Sequence, residues 1–358
     1  MSESAMNQLN RNRTKIGIAL GAGVARGWAH IGVMRVLSEA GVHADIVSGT
    51  SIGAMVGGCY VADRMKPLEE FARSLTRRRL LGLVDFRFRS SGLIGDAKLE
   101  ALLTSHLGDL RIENMERTFV AVATELSTGH EVWLREGSLV QALRASYALP
   151  GVFSPVPVDN RWLIDGAIVN PVPVSVARAL GARLVIAVNL NTDPFDPATR
   201  RNFAEGTNPF YVKAAPPRMP ETDLAEEIAD MVEGETETTP DETPDENSAI
   251  MGGIKNTLNK IRGVKRAPER EIVKRAIGSA RRGPGFASVL LASLNIVQDR
   301  LARARLASDP PDVVIAPKIG HLTLLEFDRA DELIRLGEEA AEEALPQIRE
   351  TISLLAQS

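Results

Sequence analysis

A serine flanked by glycines stands where a strand gives way to a helix, in the run Gly49-Thr50-Ser51-Ile52-Gly53. The residues before this run form a short apolar stretch typical of a buried strand, and those after it form a longer apolar stretch typical of a helix. Such a turn exposes the serine Oγ, its glycines leave room around it, and the helix that follows directs its positive end toward it. The pattern therefore predicts a nucleophile elbow, with Ser51 as the attacking residue and Gly49 and Gly53 as the elbow glycines.

A glycine-rich turn lies upstream, between a predicted strand at 15–20 and a predicted helix at 27–40. Its sequence is Gly21-Ala22-Gly23-Val24-Ala25-Arg26-Gly27, and backbone N–H groups at a helix start converge on negative charge. A dinucleotide loop is the alternative, but the glycine spacing fits G-x-G-x-x-G poorly, and the Gly-Lys-Ser/Thr of a phosphate loop is missing. We therefore predict an oxyanion hole formed by the N–H groups near Gly23 and Val24.

Arg26 belongs to the same turn, and two roles are open for it. Its guanidinium could support the turn through hydrogen bonds, or it could attract the phosphate of a lipid. We favour the supporting role, because Arg26 is part of the loop and not of an exposed basic patch.

An aspartate ends a predicted strand downstream, in the motif Asp165-Gly166-Ala167. Its carboxylate could be the base that takes the Ser51 proton, although Asp-Gly is also a common turn dipeptide. A third alternative adds His321, because serine, aspartate and histidine would then follow in the order of the α/β-hydrolases. However, only one strand and one helix precede the predicted elbow, where α/β-hydrolases have several strands. No histidine lies near cysteines or paired carboxylates in the sequence, so we predict neither a metal site nor a cofactor.

Four motifs, in this order, resemble those of the patatin-like phospholipases. They are the glycine-rich turn, the serine elbow, the stretch Arg144-Ala145-Ser146-Tyr147-Ala148-Leu149-Pro150-Gly151-Val152-Phe153, and the Asp-Gly-Ala motif. The resemblance covers roughly residues 14–191, with a weak echo at 311–336, and the chain looks most like the bacterial single-domain members.

This resemblance implies a three-layer α/β/α sandwich and a Ser–Asp dyad that works without histidine. It assigns Ser51 as the nucleophile, Asp165 as the proton acceptor and residues 21–27 as the oxyanion loop. Many members have an unbroken glycine run where this chain has Ala22 and Val24. Backbone N–H donors survive both substitutions, so the chemistry that the resemblance implies is retained.

Strands and helices alternate along the chain, which predicts an α/β protein with a mainly parallel sheet covered on both faces. We predict strands at 15–20, 44–48, 118–125, 131–135, 161–165, 183–190 and 312–316. Helices are predicted at 27–40, 52–63, 66–76, 96–106, 138–146, 173–180, 286–306 and 328–355.

Four segments follow from the composition: a flexible N-terminus at 1–14, a catalytic core at 15–191, a charged insertion at 192–285, and helices and a strand at 286–358 that complete the core. The insertion has twelve acidic and no basic residues between Glu221 and Glu246, so we expect it to be largely disordered. A basic stretch at 251–283 follows. It is either solvated and partly neutralised by the acidic half, or it docks on anionic lipid as a peripheral membrane contact.

The overall composition excludes several classes of protein. The net charge of −4 does not suggest nucleic-acid binding, and a single cysteine excludes an internal disulfide and fits a reducing compartment. The N-terminus lacks the apolar core of a signal peptide, and no 18 apolar residues run together. We therefore expect a cytoplasmic protein that reaches membranes only peripherally.

Taken with the resemblance, these motifs predict a serine acyl hydrolase that cleaves fatty-acyl esters of phospholipids or lysophospholipids. A small-ester or thioester hydrolase on the same dyad and a non-catalytic regulatory protein of the same fold are the alternatives. We expect substrate-contacting loop residues at Phe86-Arg87-Phe88-Arg89 and at Leu93-Ile94.

Overall fold

A computed structural model of the protein describes residues 14–76, 97–191, 286–322 and 324–357. Its centre is an eight-stranded sheet in the order β5-β6-β3-β2-β1-β7-β8, with β4 also paired to β3. The strands are β1 (Ile16–Leu20), β2 (Ile46–Thr50), β3 (Thr118–Glu125), β4 (Glu131–Leu134), β5 (Val156–Val158), β6 (Arg161–Asp165), β7 (Leu184–Val188) and β8 (Val313–Ile315).

The middle of the sheet is parallel, since β1 pairs in parallel with β2 and β7, β2 with β3, and β7 with β8. The strands β4, β5 and β6 are antiparallel to their partners. Every residue of β2 and β7 is buried, as expected for parallel strands covered on both faces. The predicted mainly parallel sheet is confirmed.

Helices cover both faces of this sheet and make three layers. They are α1 (Ala29–Glu39), α2 (Ile52–Val61), α3 (Met65–Ser74), α4 (Ala97–Leu107), α5 (Leu139–Tyr147), α6 (Val174–Ala179), α7 (Phe286–Ser308) and α8 (Ala330–Gln357). The larger core cluster joins α1 to α5 and α8 to one face, and a smaller one joins α6 and α7 to the other. The predicted α/β/α sandwich is therefore confirmed.

The predicted and observed elements differ by a few residues at their ends, and one short strand was not predicted. Residues Val24–Trp28 form a 3-10 turn, so the first long helix begins at Ala29 and not at residue 27. The prediction missed β5, which has three residues with Pro157 in the middle. Proline donates no ladder hydrogen bond, and β5 is accordingly an edge strand.

The chain from residue 286 onward adds one strand to the sheet and one helix to each of its faces. The strand β8 extends the parallel sheet next to β7, and α8 packs along α1. None of the described helices is long and apolar enough to cross a membrane. The predicted loop residues at 86–89 and 93–94 and the charged segment at 192–285 lie outside the described residues.

Candidate active site

Ser51 lies between the end of β2 and the start of α2, at the carboxyl edge of the parallel strands. Its backbone has φ 59° and ψ −123°, a conformation that a residue with a side chain rarely adopts. Such a conformation costs about 1–3 kcal/mol and persists only where its surroundings enforce it. The predicted sharp turn is therefore present, and the serine side chain is aimed by backbone geometry.

The glycines on either side of Ser51 allow close approach. A Cβ built at Gly53 would overlap the carbonyl oxygen of Leu20 and would lie 2.6 Å from that of Gly21. A Cβ at Gly49 would lie 2.6 Å from the nitrogen of Ala54. Gly53 thus lets α2 begin directly against β1 and the loop that follows it, and Gly49 lets the first turn of α2 lie against the end of β2.

Asp165 meets Ser51 directly. Ser51 Oγ donates a hydrogen bond of 2.6 Å to Asp165 Oδ2, and the Ala167 N–H donates one of 2.8 Å to Asp165 Oδ1. Only 1% of Asp165 is exposed. Burial raises the pKa of this carboxyl to about 6, against the opposing effect of the two hydrogen bonds. The group is thus still ionised at neutral pH, yet it is a stronger base than an ordinary aspartate.

The backbone of Asp165 is anchored on both sides. Its N–H donates to the carbonyl of Ala148, and its own carbonyl accepts from Thr124 Oγ1 at 2.9 Å. Gly166 and Ala167 then enter a 3-10 turn that the Asp165 side chain caps. The two sequence interpretations of this motif, a turn and a carboxylate next to serine, describe the same residue.

The glycine-rich loop is tied down by its own N–H groups. Gly21 donates to Val188 at 3.0 Å, Ala22 to Pro171 at 2.8 Å, and Ala25 to Leu324 at 3.1 Å, in each case to the carbonyl oxygen. The Arg26 N–H turns back to the carbonyl of Gly23.

Two donors of this loop are left over. Within the described part of the chain, the N–H groups of Gly23 and Val24 donate to no protein acceptor. Val24 has φ 52°, a region that favours glycine and strains a β-branched residue. This observation accounts for the glycine that many members of the resembled family have at this position. The two predicted oxyanion donors are therefore adjacent and unsatisfied.

Arg26 and Gly27 fasten the loop to its neighbours. The Arg26 Nε donates to the carbonyl of Leu322 at 2.8 Å, which is a supporting hydrogen bond from a partly buried guanidinium. Burial lowers the pKa of Arg26, and the nearby charge of Glu326 raises it. A Cβ at Gly27 would overlap the side chain of Ile52, so the loop lies against the first residue of α2.

The sequence analysis assigned no role to two buried residues of the site. Ser146 on α5 accepts the Ser51 N–H at 2.9 Å and donates to the Val122 carbonyl at 2.6 Å. His30 on α1 is fully buried, and its Nε2 donates to the Gly21 carbonyl at 2.7 Å. Burial lowers the pKa of His30 to about 4, so its ring is neutral. The available signal was a polar residue on the core face of an amphipathic helix, which does not reveal the partner.

His321 lies elsewhere. Its Nε2 is 3.0 Å from Glu332 Oε1, and 38% of its side chain is exposed. Ser51 contacts Asp165 without an intervening group, so the geometry does not match the Ser–His–Asp order. In the described part of the chain, no three histidine, cysteine or carboxylate side chains group together as metal ligands would.

Comparison with known proteins identifies the family of the chain. The family model of the patatin-like phospholipases matches residues 18–178. NTE family proteins of Mycobacterium tuberculosis and Mycobacterium bovis are 31% identical to the chain over 345 residues, which cover 96% of this chain and 94% of theirs. The chain belongs to the patatin-like phospholipase family.

Other matches are more partial. Human patatin-like phospholipase domain-containing protein 6 is 32% identical over 221 residues, which cover 58% of this chain and 16% of that protein. The crystal structure of VipD from Legionella pneumophila aligns with a TM-score of 0.38 and 14% identity, over 53% of this chain and 52% of that one. As a patatin-like phospholipase family member, the protein is a hydrolase of the phospholipase and esterase type.

The family model ends before the C-terminal segment of this patatin-like protein begins. Yet two carbonyls of that segment, those of Leu322 and Leu324, bond to the glycine-rich loop. Part of the site's support therefore comes from outside the matched region.

Proposed function

We propose that the protein is a serine acyl hydrolase that cleaves fatty-acyl esters of phospholipids or lysophospholipids through a Ser51–Asp165 dyad. The single observation that carries this proposal is the 2.6 Å hydrogen bond from Ser51 Oγ to the buried Asp165 carboxylate. A base in direct contact with the nucleophile needs no histidine between them.

In the first half of the reaction, Asp165 accepts the Ser51 proton while Oγ forms a bond to the ester carbonyl carbon. The N–H groups of Gly23 and Val24 stabilise the negative oxygen, and a good donor of this kind contributes about 3 kcal/mol. The ester C–O bond then breaks, and the leaving alcohol takes the proton from Asp165.

In the second half, a water molecule gives a proton to Asp165 and attacks the acyl group on Ser51. Collapse of this second intermediate releases the fatty acid, and Ser51 regains its proton from Asp165. A carboxyl with a pKa of about 6 suits both steps, because it is ionised at rest and accepts a proton more readily than an exposed aspartate.

The arrangement of the chain around this dyad is also proposed. Residues 15–191 would form the catalytic core, and 286–358 would complete it, which the pairing of β7 with β8 supports. Residues 1–14 would be an N-terminal extension of this core, and residues 192–285 would be a charged insertion whose basic part at 251–283 contacts anionic membranes from the cytoplasm. Deleting 251–283 should reduce the fraction of the protein that sediments together with anionic vesicles at low salt. Unchanged binding would contradict the proposed membrane contact.

Fatty-acid release tests the central proposal. Lysophospholipids, diacyl phospholipids and short nitrophenyl esters would be offered to the wild type and to Ser51→Ala, Asp165→Asn and His321→Ala. The first two variants should lose activity by a factor of about 10³ or more, while His321→Ala keeps it. Equal loss in a folded His321→Ala would restore the triad, and an inert wild type would favour the regulatory protein. Activity on short esters alone would favour the small-ester hydrolase.

A further inference from the structure

The segment that follows the Asp165 motif contacts both the elbow and the glycine-rich loop. Its sequence is Val169-Asn170-Pro171-Val172-Pro173. The hydroxyl of Thr50, the residue before Ser51, donates to the Asn170 carbonyl at 2.8 Å. The Asn170 N–H in turn donates to the Gly166 carbonyl at 2.9 Å, which keeps the segment close to Asp165. The 169–173 segment thus joins the end of β2 to the residue after the proposed base.

The same segment holds the glycine-rich loop. The Ala22 N–H donates to the Pro171 carbonyl at 2.8 Å. A Cβ built at Gly21 would lie 3.3 Å from the Pro171 carbonyl oxygen and 3.1 Å from Cγ2 of Val172, so the loop lies directly on the segment. Ala22 precedes Gly23, the first of the proposed oxyanion donors. The position of the 169–173 segment therefore sets the spacing between these donors and the elbow.

Prolines restrict the backbone of the segment. Proline fixes φ and has no N–H, and the residue before a proline is biased toward an extended conformation. Asn170 and Val172 each precede a proline, and the carbonyl of Pro173 accepts the Ser48 hydroxyl at 2.9 Å. The directions of the carbonyls are therefore largely set by the sequence. The location of the segment, by contrast, depends on contacts with neighbouring elements.

The side chain of Asn170 makes such contacts on two elements. It is 1% exposed, and its Nδ2 donates to Glu131 Oε1 on β4 at 3.0 Å and to Ser175 Oγ on α6 at 3.2 Å. Glu131 is itself held, because Trp133 Nε1 donates to its Oε1 at 2.7 Å. Within the described residues, Asn170 Oδ1 has no hydrogen-bond partner, so the amide is held through its nitrogen.

Arg305 on α7 connects the same carboxylate to the segment by a second route. Its Nη2 donates to the Val169 carbonyl at 3.0 Å and lies 3.6 Å from Glu131 Oε2. Glu131 is therefore linked to Asn170 directly and to Val169 through Arg305. Hydrogen bonds to an ionised group are stronger than those between neutral groups, so this carboxylate is a firm anchor for the segment.

We propose that Asn170 is a positioning residue of the site. Its amide fixes the 169–173 segment, and the segment fixes the spacing between Ser51 and the oxyanion donors. The proposal rests on the function proposed above and adds a residue that acts through the backbone and not on the substrate. Misplacing reacting groups by about 1 Å can lower a rate about 100-fold, so a change at Asn170 should lower kcat and leave KM for a short ester alone.

Exchanging donor and acceptor tests the bond between Asn170 and Glu131. Asn170→Asp keeps the shape of the side chain but places a carboxylate against Glu131. Adding Glu131→Gln restores a donor, an acceptor and the original net charge. At pH ~8, where Asp165 is ionised, kcat on a short ester should fall at least about tenfold in Asn170→Asp, with KM within about threefold of wild type. In the Glu131→Gln background, Asn170→Asp should lower kcat by less than about threefold.

Urea unfolding shows whether each variant is folded. Asn114→Asp, the same substitution at an exposed position, is the matched control and should keep the wild-type kcat and unfolding midpoint. A folded Asn170→Asp with the wild-type kcat would overturn the proposal, even if the variant is less stable. An equal loss of kcat in both backgrounds would also overturn it, because the bond to Glu131 would then not be the cause.

Thr50→Val tests the link from the segment to the elbow, whether or not Asn170→Asp folds. Valine has the shape of threonine without the hydroxyl that donates to the Asn170 carbonyl. We expect kcat on the short ester to fall at least about tenfold. Thr351→Val, which removes a hydroxyl bonded to the Gln347 carbonyl of its own helix, is the control and should keep the wild-type kcat. A folded Thr50→Val with the wild-type kcat would contradict the positioning role.

Ser51→Ala separates this proposal from the function on which it rests. If Ser51→Ala abolishes ester hydrolysis while Asn170→Asp and Thr50→Val keep the wild-type kcat, the positioning role is rejected and the hydrolase stands. If the wild type hydrolyses no ester faster than Ser51→Ala does, the hydrolase and the positioning role are both rejected.

Discussion

The two fully buried titratable side chains next to the site respond to pH with opposite signs. Asp165 has a folded pKa of about 6, above its ordinary value, so its ionisation destabilises the fold as pH rises from about 4 to about 6. His30 has a folded pKa of about 4, below its ordinary value, so the fold loses stability as pH falls from about 6.5 to about 4. Between these limits the two contributions oppose each other.

Asp165→Asn should therefore shift the pH dependence of stability. The variant cannot ionise at this position, and a raised pKa from 3.8 to about 6 corresponds to about 3 kcal/mol. The difference in unfolding free energy, variant minus wild type, should rise by about that amount between pH ~4 and pH ~8. Urea unfolding at both values measures it. A difference that is the same at both pH values would show that Asp165 is not buried as a charge.

The ionisation of Asp165 should also govern how the rate of ester hydrolysis depends on pH. A base must be ionised to act, so kcat/KM on a soluble short ester should fall about tenfold per pH unit below pH ~6 and level off above it. Steady-state kinetics at several pH values across this range measures this fall in kcat/KM. The ester's own hydrolysis and the stability of the protein at each pH are the controls. If kcat/KM instead began to fall only near pH 4, Asp165 would titrate as an exposed aspartate, which would contradict the burial argument.

At the scale of elements, the elbow depends on a helix far along the chain. The strained turn at Ser51 leaves its N–H pointing inward, and α5 supplies Ser146 to accept it. The same hydroxyl satisfies Val122 on β3, so one side chain links α5, β3 and the elbow. Fully buried groups of this kind are costly to leave unpaired.

Ser146→Ala should cost about 1–3 kcal/mol of stability, because it leaves the Ser51 N–H and the Val122 carbonyl without a partner. We also expect kcat on a short ester to fall about tenfold or more with little change in KM, since the nucleophile loses its positioning. Chemical denaturation and steady-state kinetics measure the two effects.

Ser38→Ala is the matched control, because Ser38 on α1 is only partly buried and bonds to the Met34 carbonyl of its own helix. This control should change stability by no more than about 0.5 kcal/mol and leave kcat alone. If Ser146→Ala loses stability but retains the wild-type kcat, its role is structural and it does not position Ser51.

At the scale of the whole molecule, the site depends on a helix near the C-terminus that packs on a helix near the start of the chain. Helix α8 lies directly on α1 where two glycines meet: a Cβ at Gly32 would overlap the Ile334 carbonyl, and one at Gly337 would overlap that of Ala29. Arg35 on α1 also pairs with Glu338 on α8. Because α1 carries His30 and follows the glycine-rich loop, this contact connects α8 to the loop that holds the proposed oxyanion donors.

Gly337→Ala should therefore destabilise the protein by about 1–3 kcal/mol, because the added methyl group forces α8 away from α1. The sign is informative, since alanine in place of glycine in a helix is otherwise favourable by about 1 kcal/mol. Urea unfolding gives the value. Glu342→Ala, at an exposed position of the same helix, is the control and should stay within about 0.5 kcal/mol. A stabilised Gly337→Ala would mean that the helices do not pack this closely.

Much of the architecture depends on residues that are neighbours in the chain, and this part is determined by the sequence. Continuous apolar runs predict β7 and β8, and glycines around Ser51 predict the sharp turn. The exception is β5, because three residues with a central proline are too few to show the alternation of a strand. The three-layer arrangement follows, since strands and helices that alternate must cover one another.

Which groups meet at the site was decided only by the tertiary structure. Ser51 lies 114 residues from Asp165 and 95 from Ser146, and Arg26 lies 296 residues from Leu322. No local pattern predicts those pairings. They depend on strand order, on the antiparallel pairing of β6 with β3, on the packing of α5 against the elbow, and on the contact of the C-terminal segment with the glycine-rich loop. The raised pKa of Asp165 and the neutral ring of His30 likewise arise from burial, which exists only once the layers have packed.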